Sequence, residues 1–366
     1  MTIPPLPPGS TIGILGGGQL GRMLALAAAE LGLRCHIYCP DPDSPAFDVA
    51  HRATCAPYED ESSLDQFVRS VDRVTYEFEN VPHRTAAFLA SRVLVLPSEK
   101  ALRITQDRLH EKRFVTDLGF QTAQFLPIDN PEQLTQGLTT LGSPAILKTR
   151  RFGYDGKGQI KVSHGDDVEV AWQSIGKQNA ILEAVVPFEM ECSVVVARGS
   201  DGAMAAYDVT ENQHENHILK ISSVPARVLP TTADEARRIG TRIAEALDYV
   251  GVLAVELFVV RTSAGEHLLI NEIAPRVHNS GHWTQDGCQV SQFEQHIRAI
   301  AGWPLGSAER HCDVEMINLL GDDIGQWASL AAEPNVALHL YGKHQARPGR
   351  KMGHVNRTKP QARRDR

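Results

Sequence analysis

No apolar run of about 18 residues occurs in this 366-residue chain, so no segment is expected to span a membrane. Met1 to Ser10 is proline-rich and lacks the positive start and apolar core of a secretory signal, and we expect a cytoplasmic protein. Cysteine is sparse and scattered (Cys35, Cys39, Cys55, Cys192, Cys288, Cys312). No pair has zinc-finger spacing, so reduced thiols are expected rather than a disulfide framework or a zinc site. Internal repeats and low-complexity tracts are absent. A net charge of -7 argues against general nucleic-acid binding, so any basic residues that matter must act locally.

What remains is a globular composition, 42% hydrophobic and 22% charged, in a chain long enough for two or three domains. Thr11 to Leu15 reads as a buried strand, and Gly16-Gly17-Gly18-Gln19-Leu20-Gly21 turns it into a helix from about Leu20 to Leu31, closed by Gly32. Cys35 to Cys39, Val74 to Glu77 and Val93 to Pro97 read as further strands, and their alternation with helices predicts a parallel sheet. A charged helix is predicted from Lys100 to Leu118. Beyond it lie an α+β unit from about Ala123 to Glu191 and strands at Ser193–Ala197, Leu253–Val260 and His267–Asn271. A helix near Ala233–Leu247 divides those strands, and Gln361 to Arg366 reads as a disordered tail.

Two glycine-rich segments compete for a phosphate. The first, Gly16 to Gly21, fits Gly-x-Gly-x-x-Gly and has Asp41 near the end of the next strand, a dinucleotide fingerprint. Glycine that merely packs the helix close would read the same way. The second, Gly153-Tyr154-Asp155-Gly156-Lys157-Gly158-Gln159, follows Ala145-Ile146-Leu147-Lys148. Its glycines would let backbone N–H groups close on a polyphosphate, with Lys148 and Lys157 adding charge. It is not a P-loop, and an ordinary surface hairpin is the alternative.

Two carboxylates stand out. Glu256 interrupts an apolar strand and Glu272 ends another, where an ionised group needs compensation. On adjacent strands they could hold a hard cation with Asn271, and Mg²⁺ is the expected metal beside a polyphosphate loop. A salt bridge from Glu272 to Arg276 is the structural alternative. In Ala274 to Trp283, Arg276 could clamp a carboxylate-like or phosphate-like group with help from His278 and Asn279, whereas His282 reads as a packing residue. Lys343, Arg347, Arg350 and Lys351 concentrate charge around Pro348-Gly349, as an anion site or a solvated tail would.

From about Thr11 to His354 these motifs together resemble the ATP-grasp ligases, and within them the 5-(carboxyamino)imidazole ribonucleotide synthetase family of purine biosynthesis. Tyr76-Glu77-Phe78-Glu79-Asn80-Val81-Pro82 and Asn271 to Gln285 carry the resemblance with the glycine loops and Arg347 to Lys351. It implies an α/β and α+β chain. A Rossmann-like parallel-sheet domain at 1–107 precedes an ATP-grasp fold at 108–300 with a lid at about 123–185, and a small β-rich C-terminal region follows at 301–366. It also implies ATP-dependent carboxylation of 5-aminoimidazole ribonucleotide with bicarbonate through carboxyphosphate, using Mg²⁺, in a homodimer.

By the same resemblance, Arg108, Lys148 and Gly153 to Gln159 (Tyr154, Asp155, Gly156, Lys157 and Gly158 included) hold ATP, with Lys112 as a further possible contact. Glu183-Ala184-Val185-Val186 forms the adenine hinge, Glu191 takes the ribose, and His214 and Asn271 complete the nucleotide site. The hinge departs from the family at Pro187-Phe188-Glu189-Met190, which lacks a glycine before Glu191. Glu256 and Glu272 match metal ligands; Tyr154 and Asp155 face the aminoimidazole; Arg276, His278 and Asn279 hold bicarbonate. Gln19, Glu79, Asn80, Lys343 and Arg350 line the ribonucleotide pocket. A formate-dependent glycinamide ribonucleotide transformylase of the same fold is the nearer rival. A nicotinamide-dependent oxidoreductase is the rival from another class, though it leaves Glu256, Glu272 and the second glycine loop unexplained.

Overall fold

Thr11–Leu15 (β1) is the central strand of a parallel sheet because nearly every side chain on it is apolar and buried on both faces. The computed structural model describes residues 3–153 and 156–361; Tyr154, Asp155 and the end of the predicted tail lie outside the described residues. Gln19–Glu30 (α1) follows β1, and Arg34–Cys39 (β2), Arg52–Cys55 (β3) and Arg73–Tyr76 (β4) complete a sheet in the order β3-β2-β1-β4. Glu61–Val68 (α2) and His83–Ala90 (α3) flank it.

Two expectations fail here. Val93 to Pro97 is not a strand: Leu94 and Leu96 make two backbone hydrogen bonds to Val74, and pairing stops at Pro97, which has no N–H to give. The single helix from Lys100 to Leu118 is two, Glu99–Thr105 (α4) and Arg108–Asp117 (α5). Asp107 breaks it by capping α5, accepting from the N–H groups of Leu109 and His110. Its carboxylate is held in turn by Arg150 from the second glycine loop.

Phe125–Ile128 (β5), Pro131–Leu141 (α6), Ala145–Thr149 (β6), Gln159–Val162 (β7), Val168–Ser174 (α7) and Ala180–Ala184 (β8) form a small antiparallel sheet, β5-β8-β6-β7, with its own core around Leu134, Leu147 and Leu182.

The large sheet comes next. Met190–Arg198 (β9), Met204–Ala206 (β10), Thr210–Glu215 (β11), Ile218–Val224 (β12), Pro230–Ala246 (α8), Gly251–Thr262 (β13) and Gly265–Ala274 (β14) follow in sequence. Thr284–Gly287 (α9), Gln292–Ala301 (α10), Cys312–Leu320 (β15), Trp327–Ala331 (α11), Val336–Leu340 (β16) and Lys351–Pro360 (β17) end the chain. The sheet order is β14-β13-β9-β11-β12-β15-β17-β16, so the C-terminal strands extend the central sheet through β12–β15 pairing.

Helix α10 ties the parts together. Its apolar face buries Phe293, Ile297 and Ile300 against α1 and the large sheet, worth roughly 1.5–3 kcal/mol for each side chain removed from water. On the same helix, the His296 ring bridges Thr75 Oγ1 on β4 (2.8 Å) and the Val252 N–H on β13 (3.1 Å). Two sheets are thereby fixed relative to each other. Among the described residues no helix is long and apolar enough to cross a membrane.

Candidate functional site

At the first glycine turn, the seat at the N-terminus of α1 is filled by the chain itself. Glu77, at the end of β4, accepts from Gly18 N–H at 2.5 Å through Oε1 and from Gly21 N–H through Oε2. Only glycine permits this approach at position 16: φ is +107°, and a Cβ there would sit 2.3 Å from Glu77 Cγ. Burial raises the Glu77 pKa, and the two N–H groups, Arg276 and Lys343 work against that rise. A carboxylate that takes the Gly18 and Gly21 N–H groups stands where a pyrophosphate would sit, which counts against the dinucleotide reading.

Beside the turn is a cleft of about 370 Å³ lined by Gln19, Asp41, Ser44, Tyr58, Lys343 and Arg350, among others. The C-terminal basic segment therefore faces the N-terminal turn and is not a solvated tail. Lys343 Nζ donates to Gln19 Oε1 and to the Lys351 carbonyl, both at 2.7 Å. Burial, with Arg350 nearby, pushes the Lys343 pKa down to about 8.

Glu256 and Glu272 lie directly opposite each other on β13 and β14, so both side chains leave the same face of the sheet. The register then slips, pairing Leu257 with Ile270, and Asn271 is the extra residue of a β-bulge. Lys112, buried on α5, holds the bulge by donating to the carbonyls of Asn271 (2.8 Å) and Ile270 (3.3 Å). Its neighbour Glu111 accepts from Ile273 N–H at 2.7 Å. Lys112 thus supports backbone, while Arg108 reaches the carboxylates: its Nη1 is 2.9 Å from Glu272 Oε2. The Glu272–Arg276 salt bridge does not form, because Arg276 is clamped on Glu79. His278 Nε2 lies 3.0 Å from Glu256 Oε1. Burial disfavours the Glu256 carboxylate, yet the His278 hydrogen bond and neighbouring cations lower its pKa.

The second glycine loop joins β6 to β7 above this pair. Lys148, the penultimate residue of β6, donates to Glu183 Oε2 at 2.8 Å. Burial opposes the Glu183 charge, but Lys148 and Lys112 hold its pKa down at about 2. Glu183 therefore orients the lysine through its side chain. Gly158 has φ +71°, and a Cβ there would meet Thr149 Oγ1 at 2.6 Å, so the tight return of this loop needs glycine. Gly153 lies close to Arg108, with an added Cβ 3.6 Å from Nη2, which brings the loop over the Arg108–Glu272 pair. Tyr154 and Asp155 fall outside the described residues.

After β8 the chain runs through Ala184, Val185 and Val186 along a cleft of about 670 Å³ whose walls include Phe125, Val260 and Leu269. No glycine is needed before Glu191, because none of Pro187, Phe188, Glu189 and Met190 adopts a positive φ; Phe188 stacks on Phe258 with ring centroids 4.6 Å apart. Glu191 Oε2 meets His214 Nδ1 at 2.7 Å on the wall of a neighbouring cleft of about 620 Å³. Burial opposes the His214 charge, but Glu191 raises its pKa.

The segment from Arg276 to Trp283 is buried and tightly bonded. Gln292 on α10 accepts from His278 N–H at 2.9 Å and donates to His278 O at 2.7 Å and to His282 Nδ1 at 3.1 Å. His282 is fully buried and packs against Phe293 and His354, as its reading as a packing residue expects. Asn279 differs from its neighbours. It is 8% exposed, and among the described residues neither atom of its amide has a hydrogen-bond partner. A buried amide with a free donor and a free acceptor, next to Arg276 and His278, suits a small oxyanion that carries a hydroxyl.

Comparison with known proteins agrees with this geometry. The model of the ribonucleotide synthetase preATP-grasp domain matches residues 10–106, that of the ATP-grasp domain 113–293, and that of the phosphoribosylaminoimidazole carboxylase C-terminal domain 315–364. The N5-carboxyaminoimidazole ribonucleotide synthase of Brucella melitensis is 51% identical over 97% of this chain and 98% of its own length. An ADP complex of an N5-carboxyaminoimidazole ribonucleotide synthetase superposes with a TM-score of 0.92 at 43% identity, covering 97% of this chain and 94% of that one. The Aspergillus clavatus N5-carboxyaminoimidazole synthase, in complex with ADP and 5-aminoimidazole ribonucleotide, gives 0.88 at 31% identity over 96% and 94%.

Proposed function

The chain belongs to the N5-carboxyaminoimidazole ribonucleotide synthase family, and from that premise we propose how its residues divide the work. The enzyme is an ATP-grasp ligase that uses ATP and bicarbonate to carboxylate the exocyclic amine of 5-aminoimidazole ribonucleotide, releasing ADP and phosphate. Bicarbonate is a poor electrophile until one oxygen becomes a phosphate leaving group. The carboxyphosphate that results is labile, so it must form beside the waiting amine in a site closed to water.

The observation that carries the assignment is the unpartnered, buried Asn279 amide beside Arg276 and His278, on the loop that leaves β14 just after Glu272. We place bicarbonate there, with the Arg276 guanidinium and the His278 imidazole as further contacts. The ATP phosphates lie under the second glycine loop, against Lys148 and Arg108. Adenine follows the hinge at Glu183 to Val186, and the ribose reaches Glu191 and His214. Phosphoryl transfer needs positioning and charge neutralisation more than covalent help, which fits a cradle built of cations and backbone.

Glu256 and Glu272 fit Mg²⁺, which takes one or two carboxylates together with substrate phosphates, and Asn271 offers a neutral oxygen at the bulge. When bound, the metal would neutralise charge on the polyphosphate.

The ribonucleotide occupies the cleft between the first glycine turn and the basic segment, its phosphate gripped by Lys343 and Arg350 beside Gln19; Glu79 and Asn80 are assigned to the same substrate, as are Tyr154 and Asp155, which lie outside the described residues. Residues 1–107 supply this wall, 108–300 the nucleotide site with its lid at about 123–185, and 301–366 the phosphate clamp. A cytoplasmic homodimer belongs to the same proposal; the free state of all six cysteines supports a reducing compartment.

Labelled bicarbonate tests the reading. We expect ADP release that requires bicarbonate, Mg²⁺ and 5-aminoimidazole ribonucleotide together, with label in an acid-labile carbamate. Turnover with formate and glycinamide ribonucleotide instead would replace the carboxylase by its nearer rival.

A further inference from the structure

A line of buried polar side chains crosses one face of the large sheet, where apolar packing would be the default. Ser193 on β9 lies directly opposite Glu256, on the side away from Glu272. Asn212 on β11 and Ser222 on β12 are also direct cross-strand partners. Ser193, Ser222 and Ser280 are fully buried and Asn212 is 6% exposed. Each of these groups has found its partner in the next. Ser222 Oγ donates to Asn212 Oδ1 (2.8 Å), Asn212 Nδ2 to Ser193 Oγ (3.0 Å), and Ser193 Oγ to Ser280 Oγ (2.6 Å). Ser280 Oγ is then 2.8 Å from His278 Nδ1, and His278 Nε2 is 3.0 Å from Glu256 Oε1.

Hydroxyl groups can donate in either direction, so the polarity of such a chain must be fixed at its ends. Here it is. The Ser280 backbone N–H points at His278 Nδ1 (3.4 Å) and can only donate. The Glu256 carboxylate, at the other ring nitrogen, can only accept. Both conditions favour a bare Nδ1 and a protonated Nε2, and the hydroxyl–amide chain runs in the direction that adds a closer donor, the Ser280 hydroxyl, to Nδ1.

We propose that Ser222, Asn212, Ser193 and Ser280 form a one-directional hydrogen-bond chain that holds His278 as the Nε2–H tautomer, with its one ring hydrogen donated to Glu256. Ser193, Asn212 and Ser222 act through other groups and are positioning residues; packing alone would need neither their polarity nor its direction. An effect on bicarbonate would act through the His278–Glu256 pair and rests on the placement of that substrate proposed above. The tautomer itself does not.

Two nearly isosteric variants of the full chain separate these statements. Ser193→Ala removes one link. Asn212→Asp removes the amide donor that faces Ser193 and puts an acceptor there, so Ser193 turns its proton toward residue 212 and the Ser280 hydroxyl is free to donate to Ser193 instead of His278. Nitrogen-15 spectra of labelled histidine, recorded at alkaline pH without substrate and assigned against His278→Asn, report which ring nitrogen carries hydrogen. The wild-type protein should show hydrogen on Nε2 of His278, Ser193→Ala a mixture, and Asn212→Asp a shift toward Nδ1. Loss of about one hydrogen bond should lower kcat/KM for bicarbonate roughly tenfold, with the KM for ATP unchanged.

A wild-type His278 protonated on Nδ1, or a Ser193→Ala spectrum identical to wild type, would overturn the chain. If Asn212→Asp fails to fold, the Ser193→Ala spectrum alone decides. A tautomer shift that leaves bicarbonate kinetics untouched would uphold the chain and remove bicarbonate from His278.

Discussion

The two glycine-rich turns look alike as sequence and have opposite chemistry in the fold. At Gly16–Gly21 the backbone N–H groups are spent on the chain's own Glu77. At Gly153–Gln159 the loop stands over Arg108, Lys148 and a facing pair of carboxylates. A glycine-rich turn can seat an anion in both a nucleotide site and a packed structural corner. What separates them is where the nearest carboxylate sits: inside the seat at the first, and across from it at the second. Cations follow the same logic. Lys343 and Arg350 line the cleft beside the first turn, where the proposed ribonucleotide site lies.

This contrast can be broken in three places. The largest effect should come from Glu272→Gln, which removes one of the two carboxylates under the second loop. Turnover measured by ADP release should fall roughly 10²–10³-fold, the scale of losing one preorganised electrostatic group. Near-normal turnover would detach the carboxylate pair from the nucleotide. Next is Lys343→Ala combined with Arg350→Ala. Losing two charge-assisted bonds at roughly 1.5 kcal/mol each should raise the ribonucleotide KM about 10²-fold, while the KM for ATP stays put. A matching rise in both constants would mean that the two turns serve one ligand. The smallest effect is on stability: Glu77→Gln should lower the unfolding free energy by about 1–3 kcal/mol in urea titrations, because a carboxylate held by two N–H groups becomes an amide that satisfies them less well. A variant of unchanged stability that gained affinity for a dinucleotide would show the seat to be a binding site after all.

Much of this arrangement was legible before any coordinates, and for local reasons. The β1–turn–α1 unit follows from a continuous apolar run and a glycine turn. Glu256 and Glu272 stood out because a charge in an apolar strand demands a partner. Glu77 answers to the same rule, lying between the buried Tyr76 and the half-buried Phe78, but its place at a strand end hid the burial. Other features depend on contacts distant in sequence. Asp107 breaks the charged helix because Arg150 arrives from the second loop to hold it, and nothing near Asp107 in the chain announces that partner. Pairing of β12 with β15 puts the C-terminal strands in the central sheet, across an interval no periodicity spans. The grip of Lys112 on the β-bulge was hidden for a similar reason, since its carbonyl partners lie on β14. Ser193, Asn212 and Ser222 carried no signal, since single polar residues in strands ordinarily face water.

Crystals grown with Mg²⁺ and a non-hydrolysable ATP analogue would test the central distinction most directly. The account predicts the triphosphate between Gly156–Gln159, Lys148 and the Glu256–Glu272 pair, with the Gly18 and Gly21 N–H groups still bonded to Glu77. An analogue seated at the Gly16–Gly21 turn, with Glu77 displaced, would contradict it.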